Sequence, residues 1–71
     1  MKLFKIDEND FVLITNNNRS VSGNKIKIIA TMFMIGIDED EIYLGMDALD
    51  NGDQVAHYGI YNTFIFSKKV A

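Results

Sequence analysis

The sequence predicts an all-β fold: a small five-stranded antiparallel meander sheet or partly open barrel that self-associates. Three observations carry this. Apolar, β-branched segments of strand length recur along the chain, each bounded by a polar turn cluster. An Asn51-Gly52 pair separates two of them, and Asn-Gly is the strongest short hairpin signal because both residues accept positive φ. The chain has 71 residues and no cysteine, so it has no disulfide framework and little room for a core. The missing burial is expected from a second copy.

Taken in order, residues 2–6 (KLFKI) alternate in part, residues 7–10 (DEND) are a turn cluster, and residues 11–15 (FVLIT) are a continuous β-prone run. Together they predict a hairpin. Residues 16–24 (NNNRSVSGN) form the longest polar stretch and are expected to be a loop, one that is also a candidate binding element. Residues 25–37 (KIKIIATMFMIGI) are the hydrophobic centre. As a strand, Ile26, Ile28, Ala30, Met32 and Met34 share one face, and Ile29, Phe33, Ile35 and Ile37 the other. A helix is the rival, since Ile26, Ile29, Ala30, Phe33 and Met34 also fit helical spacing. The strand is preferred for two reasons. Lys25 and Lys27 would sit at a helix N-terminus, where the dipole disfavours cations, and β-branched isoleucine crowds the first half.

Residues 38–41 (DEDE) are then a turn, 42–49 (IYLGMDAL) a strand, 50–53 (DNGD) a hairpin turn, and 54–66 (QVAHYGIYNTFIF) a long last strand bent at Gly59. The tail 67–71 (SKKVA) is expected to fray. The whole, 1–71, makes one small β domain. A strand over 25–37 would be apolar on both faces, so its second face needs cover from another subunit.

Composition excludes several functions. Seven basic against ten acidic residues leave a net charge of -3, which opposes general binding to nucleic acid or an anionic membrane. No apolar run reaches the roughly 18 residues of a membrane span. The start MKLFKIDEND turns acidic with no apolar stretch before it, so no signal peptide is expected and residence is cytoplasmic. Isoleucine, asparagine and lysine are abundant and there is a single arginine, a usage common in AT-rich genomes such as those of many phages and mobile elements.

Catalytic and metal chemistry find little support. His57 is the only histidine, and none of its possible nucleophiles, Ser20, Ser22, Ser67 or a threonine, stands in a recognisable motif. With Asp47 as first ligand of a calcium loop, Asn51 and Gly52 fall correctly, but Leu49 and Tyr58 occupy ligand positions. One imidazole and no thiol cannot build a zinc site. The glycines are isolated, so no phosphate loop is formed. No cofactor and no enzyme activity are expected. Tyr43, Tyr58, Tyr61, Phe64 and Phe66 could form an aromatic platform, but base-stacking sheets add a positive groove that this region lacks.

The clearest asymmetry is electrostatic. Residues 28–67 contain Asp38, Glu39, Asp40, Glu41, Asp47, Asp50 and Asp53 and no lysine or arginine. The bland alternative is solvated turns; the functional one is a docking surface for a basic partner, such as a protein that itself grips nucleic acid. The candidate partner-binding residues are Asp38, Glu39, Asp40, Glu41, Asp50 and Asp53, with Tyr43 and Tyr58 as aromatic anchors.

Ile42-Tyr43-Leu44-Gly45-Met46-Asp47-Ala48, followed by Val55-Ala56-His57, resembles the CsrA family of translational repressors, and Phe11 to Thr15 is similar to that family's first strand. The resemblance comes in pieces with different gaps and implies a five-stranded, intertwined dimer. The family places arginine after the first strand and after the histidine. Here Asn16 and Tyr58 stand there, so no RNA-binding residue carries over.

The expected function is a non-enzymatic protein-binding module: a small acidic inhibitor or modulator of a host protein, of the accessory type found in phages and mobile elements. One alternative is a CsrA-like nucleic-acid-binding regulator with Arg19, Lys25 and Lys27 gathered on one face. Another is a structural or assembly homo-oligomer.

Overall fold

The chain runs β1 (Lys2–Asp7), β2 (Asp10–Ile14), β3 (Ser20–Gly23), α1 (Lys25–Ile35), α2 (Glu39–Asp50), β4 (Asp53–Tyr58) and β5 (Phe64–Lys69) in a computed structural model that describes residues 1–69. All strand pairs are antiparallel and lie in the order β3-β2-β1-β4-β5. The expected five-stranded antiparallel sheet is therefore present, but not as a simple meander: after the helices the chain returns to pair β4 with β1 rather than with β3. The all-β class is not found: two helices pack on the sheet. Nor is there a barrel, since β3 and β5 remain as edges.

Residues 25–35 are helix, not strand. Asn24 caps α1, its side-chain oxygen accepting the Lys27 N–H at 2.8 Å. Gly36, at φ 103°, ends the helix. Its N–H donates to the Phe33 carbonyl and the Ile37 N–H to the Met32 carbonyl, at 3.0 and 3.1 Å, which is a Schellman closure. The charge objection to a helix fails because Lys25 is not alone. Its ammonium lies 2.6 Å from an Asp50 carboxylate oxygen at the C-terminal end of α2. Each residue is unfavourable to its own helix dipole, and the pair offsets both.

Residues 42–49 likewise belong to a helix. Glu39, Asp40 and Glu41 form the first turn of α2, where acids suit the dipole. Ile42, Gly45, Met46 and Leu49 face inward at helical spacing. Asn51-Gly52 is the exit from α2 rather than a hairpin turn, with Gly52 at φ 106° and its N–H on the Leu49 carbonyl.

The hairpins fall elsewhere. Part of the expected loop, Ser20–Gly23, is β3, and the expected last strand is divided into β4 and β5. Two turns of one geometry make these hairpins. In Thr15–Arg19 and Gly59–Thr63 the first N–H donates to the last carbonyl at 2.8 Å, and the fourth N–H returns to the first carbonyl at 3.0 Å. Asn18 and Asn62 take the left-handed position, at φ 62° and 61°. Ser67, Lys68 and Lys69 of the expected frayed tail pair with β4; Val70 and Ala71 lie outside the described residues.

The core sits between sheet and helices. Leu3, Phe11, Leu13, Ala56 and Tyr58 from the sheet meet Ile28 and Met32 of α1 and Ile42, Met46 and Leu49 of α2, with Ile37 between the helices. The Tyr58 hydroxyl donates to the Glu41 carbonyl at 2.8 Å and reaches that of Ile42 at 3.3 Å. Gly45 permits this approach. A Cβ there would overlap the hydroxyl and stand 2.9 Å from the ring Cζ. An alanine normally favours a helix interior by about 1 kcal/mol over glycine. Here Gly45→Ala is expected to destabilise by about 2 kcal/mol or more in urea denaturation, and by clearly less in a Tyr58→Leu background. An equal cost in both backgrounds refutes the close-packing account.

Candidate functional site

Alternation along the strands fixes which side chains the helices cover. Leu3, Leu13 and Ala56 point into the core, so their neighbours point away. The molecule therefore has two outward layers, the outer surface of the helix pair and the free face of the sheet.

On α1 the inward positions are Ile28 and Met32. The opposite side carries Ile26, Ala30, Phe33 and Met34, all exposed, with Lys27 beside them. Ile26 and Met34 keep 80% and 88% of their surface in solvent. On the neighbouring helix, Asp40, Tyr43, Leu44 and Asp47 form an exposed stripe at i, i+3, i+4 and i+7. An apolar helix face thus lies next to an acidic, aromatic one.

The sequence-predicted residues separate into two groups. Asp38, Glu39, Asp40 and Tyr43 are exposed at and near the N-terminal end of α2. Glu41, Asp50, Asp53 and Tyr58 are occupied within the fold. A Glu41 carboxylate oxygen accepts the Phe64 N–H at 2.7 Å and pins β5 to α2. Asp50 binds Lys25 and, at 3.3 Å, Lys5. The Lys25 hydrogen bond leads in holding the Asp50 carboxyl below its ordinary range, with Lys5 adding to it and burial opposing. Asp53 accepts a hydrogen bond from the Ser67 hydroxyl. Tyr58 is only 3% exposed, so it is a core residue and not a surface anchor. Burial, and then the Glu41 charge, push its phenol far up and keep it a neutral donor.

The 38–41 and 50–53 clusters do not converge. They stand at opposite ends of the 12-residue α2, about 18 Å apart at the helical rise. Sequence reasoning missed Ile26, Phe33, Met34, Leu44 and Asp47 as surface residues. The signal for them is the helical spacing of Ile42, Met46 and Leu49, which places Asp40, Leu44 and Asp47 outward.

The expected binding loop reaches the surface beside α1. Thr15, Asn17, Arg19 and Val21 face Thr31 and Ile35 across an open cleft of about 600 Å³. His57 is not brought to a serine. Ser67 pairs with Ala56 and so shares the core side, whereas His57 faces away. Ser20 lies in His57's own row but three strands across, about 14 Å at the interstrand spacing. Among the described residues no group of three or more His, Asp or Glu is arranged to hold a metal ion, and no helix is long and apolar enough to cross a membrane.

Comparison with family models, curated proteins and solved structures yields no match. Ile42–Ala48, which carried the resemblance to CsrA proteins, lies in helix α2.

Two titrations follow from this geometry. Asp50→Asn is expected to lower stability by about 0.5–1 kcal/mol at pH 7 and low salt. The wild-type carboxyl titrates below its ordinary value, so its contribution is present above that value and fades as pH falls through the folded one. Urea midpoints of the two proteins should therefore converge in acid. His57 loses stability in the same direction on acidification, but because a neutral ring must gain a charge there rather than because a carboxylate loses one. Burial, then the positive charges of Lys2, the terminal ammonium and Lys68, depress it below its ordinary 6.5. Stability is fully present above that value and declines as pH drops toward the folded one. Thermal melts between pH 7.5 and 5 should lose this slope in His57→Gln; an unchanged slope refutes the assignment.

Proposed function

We propose that this protein is a non-enzymatic protein-binding module, a small acidic inhibitor or modulator that docks through the outer surface of its helix pair. The observation that carries this is α1. Large apolar side chains on both sides of a helix suit an interior, yet Ile26, Ala30, Phe33 and Met34 face water, with Lys27 the one charge among them. Exposed clusters of large apolar side chains mark interaction sites. The chemistry of the neighbouring stripe specifies the partner. Asp40 and Asp47 frame Tyr43 and Leu44, which suits a protein surface with an apolar centre and a lysine- or arginine-rich rim. Carboxylates at that rim speed encounter with a basic partner and disfavour an acidic one.

The testing experiment is capture from nuclease-treated lysate of the native host, run with wild type, Ile26→Glu/Met34→Glu and Asp40→Lys/Asp47→Lys. The expected result is one stoichiometric protein partner, reduced at least ten-fold by the apolar pair and made less salt-sensitive and weaker by the charge pair. These positions are exposed, so far-UV circular dichroism should be unchanged. Equal capture by all three proteins overturns the proposal. So does a wild-type dimer in sedimentation that dissociates in Ile26→Glu/Met34→Glu, because the face would then be covered by a second copy.

A further inference from the structure

Across the free face of the sheet, strand register builds two rows. One reads Ser22, Val12, Phe4, Val55, Lys68; the next reads Ser20, Ile14, Lys2, His57, Phe66. Neither contains a carboxylate. The first has an apolar middle, with Val12 and Phe4 half-buried and Val55 nearly closed off. The second ends in a stacked pair, His57 on Phe66, with ring centroids 4.3 Å apart and planes 20° from parallel. Phe66 still keeps 49% of its surface in solvent. Lys2 is the cross-strand neighbour of His57, and Lys68 follows Phe66 by two positions on the same side of β5.

We propose that this sheet face is a binding site for single-stranded nucleic acid, with Phe66 and His57 as the stacking surface and Lys2 and Lys68 as phosphate contacts. Bases supply flat apolar faces and phosphates supply negative charge, and this face offers the complement of both. The overall charge of -3 does not describe it. Most carboxylates cap or lie on α2, and the strand carboxylates Asp7, Asp10 and Asp53 stand at strand ends outside the two rows, Asp10 one row beyond Val12. The charges acting on His57 are all positive: Lys2, Lys68 and the terminal ammonium. A basic protein partner would meet like charge here. A second copy docked on this face would have to bury Lys2 and Lys68 with no carboxylate in the two rows to pair them. The site is separate from the helix surface proposed above, on the other side of the sheet, so it stands whether or not that surface binds a protein.

The test is a fluorescence anisotropy titration of labelled oligothymidylate and oligouridylate 12-mers, with a duplex of the same length as control. It is run from 20 to 200 mM salt with wild type, Phe66→Ala and Lys2→Gln/Lys68→Gln. Circular dichroism checks folding, and all three sites are on the surface or half-exposed. Single strands should bind in preference to duplex, with a slope of log K against log salt of about -1.4 for two phosphate contacts. Phe66→Ala should weaken binding about ten-fold or more, and the lysine pair should flatten the salt dependence. Absence of single-strand binding at 20 mM salt overturns the proposal. So does binding that Phe66→Ala and the lysine pair both leave intact, or equal affinity for duplex. A wild-type dimer that Phe66→Ala dissociates also overturns it, because a second copy then owns the face. If Ile26→Glu/Met34→Glu abolishes protein capture but leaves oligonucleotide binding untouched, the two surfaces act independently.

Discussion

One face of a five-stranded sheet must be kept from water, and residues 25–50 are the only stretch able to cover it. That constraint organises the molecule. β2 and β3 lie on one side of β1 and the two strands after the helices on the other, which leaves one continuous apolar surface: Leu3, Phe11, Leu13, Ala56 and Tyr58. Two helices suffice to cover it, α1 over β2 and β3, α2 over β4 and β5. Tyr58 ties the layers together because its hydroxyl reaches helix backbone through the gap at Gly45. The Lys5–Asp50–Lys25 cluster does the same at the other end of α2, joining β1 to both helices. Among the described residues, no element packs on the second face of the sheet or on the outside of α1, and the candidate surfaces lie there.

The β1–β2 hairpin was legible because Leu3, Phe11 and Leu13 alternate with outward residues and a dense turn cluster separates the strands. The antiparallel pairing is legible too, but the count of five agrees only because β3 forms in the expected loop and the expected last strand divides in two, while 25–37 and 42–49 are helical. The helices themselves were not legible. In residues 25–37 apolar side chains fill all but four positions, Lys25, Lys27, Thr31 and Gly36, so both periods fit and local charge is what separates them. Local charge misled because Asp50, 25 residues away in sequence, neutralises Lys25. No reading of the segment alone sees that partner. The Gly36-Ile37 step was the better signal, since a glycine followed by a buried isoleucine after an apolar run closes a helix. Asn51-Gly52 misled for a related reason: the left-handed conformation that makes a hairpin turn also ends a helix.

The candidate site was half legible. The exposure of Asp38, Glu39 and Asp40 is readable from their clustering, whereas the Glu41 contact to Phe64 depends on tertiary packing. A strand ending in Val-Ala-His-Tyr does not reveal which side its last ring takes, so the sequence does not distinguish Tyr58 as core from Tyr58 as anchor. A net charge describes the whole chain and not any one face of it. Folding sorts the charge, placing six of the ten carboxylates on or at the cap of α2 and three at strand ends, with Lys2 and Lys68 on the opposite face of the sheet. A net value near zero or below is compatible with a local surface of either sign.

The edges of the sheet have a consequence of their own. β3 is only four residues long and carries Ser20 and Ser22, while β5 finishes in Lys68-Lys69. Brevity at one rim and repeated ammonium groups at the other are the usual guards against strand addition. Self-templated stacking of sheets into fibrils is discouraged from both sides. A molecule that leaves so much apolar surface bare can stay dispersed in this way. It remains open to recognition across its two broad faces while its backbone is withheld from indiscriminate pairing.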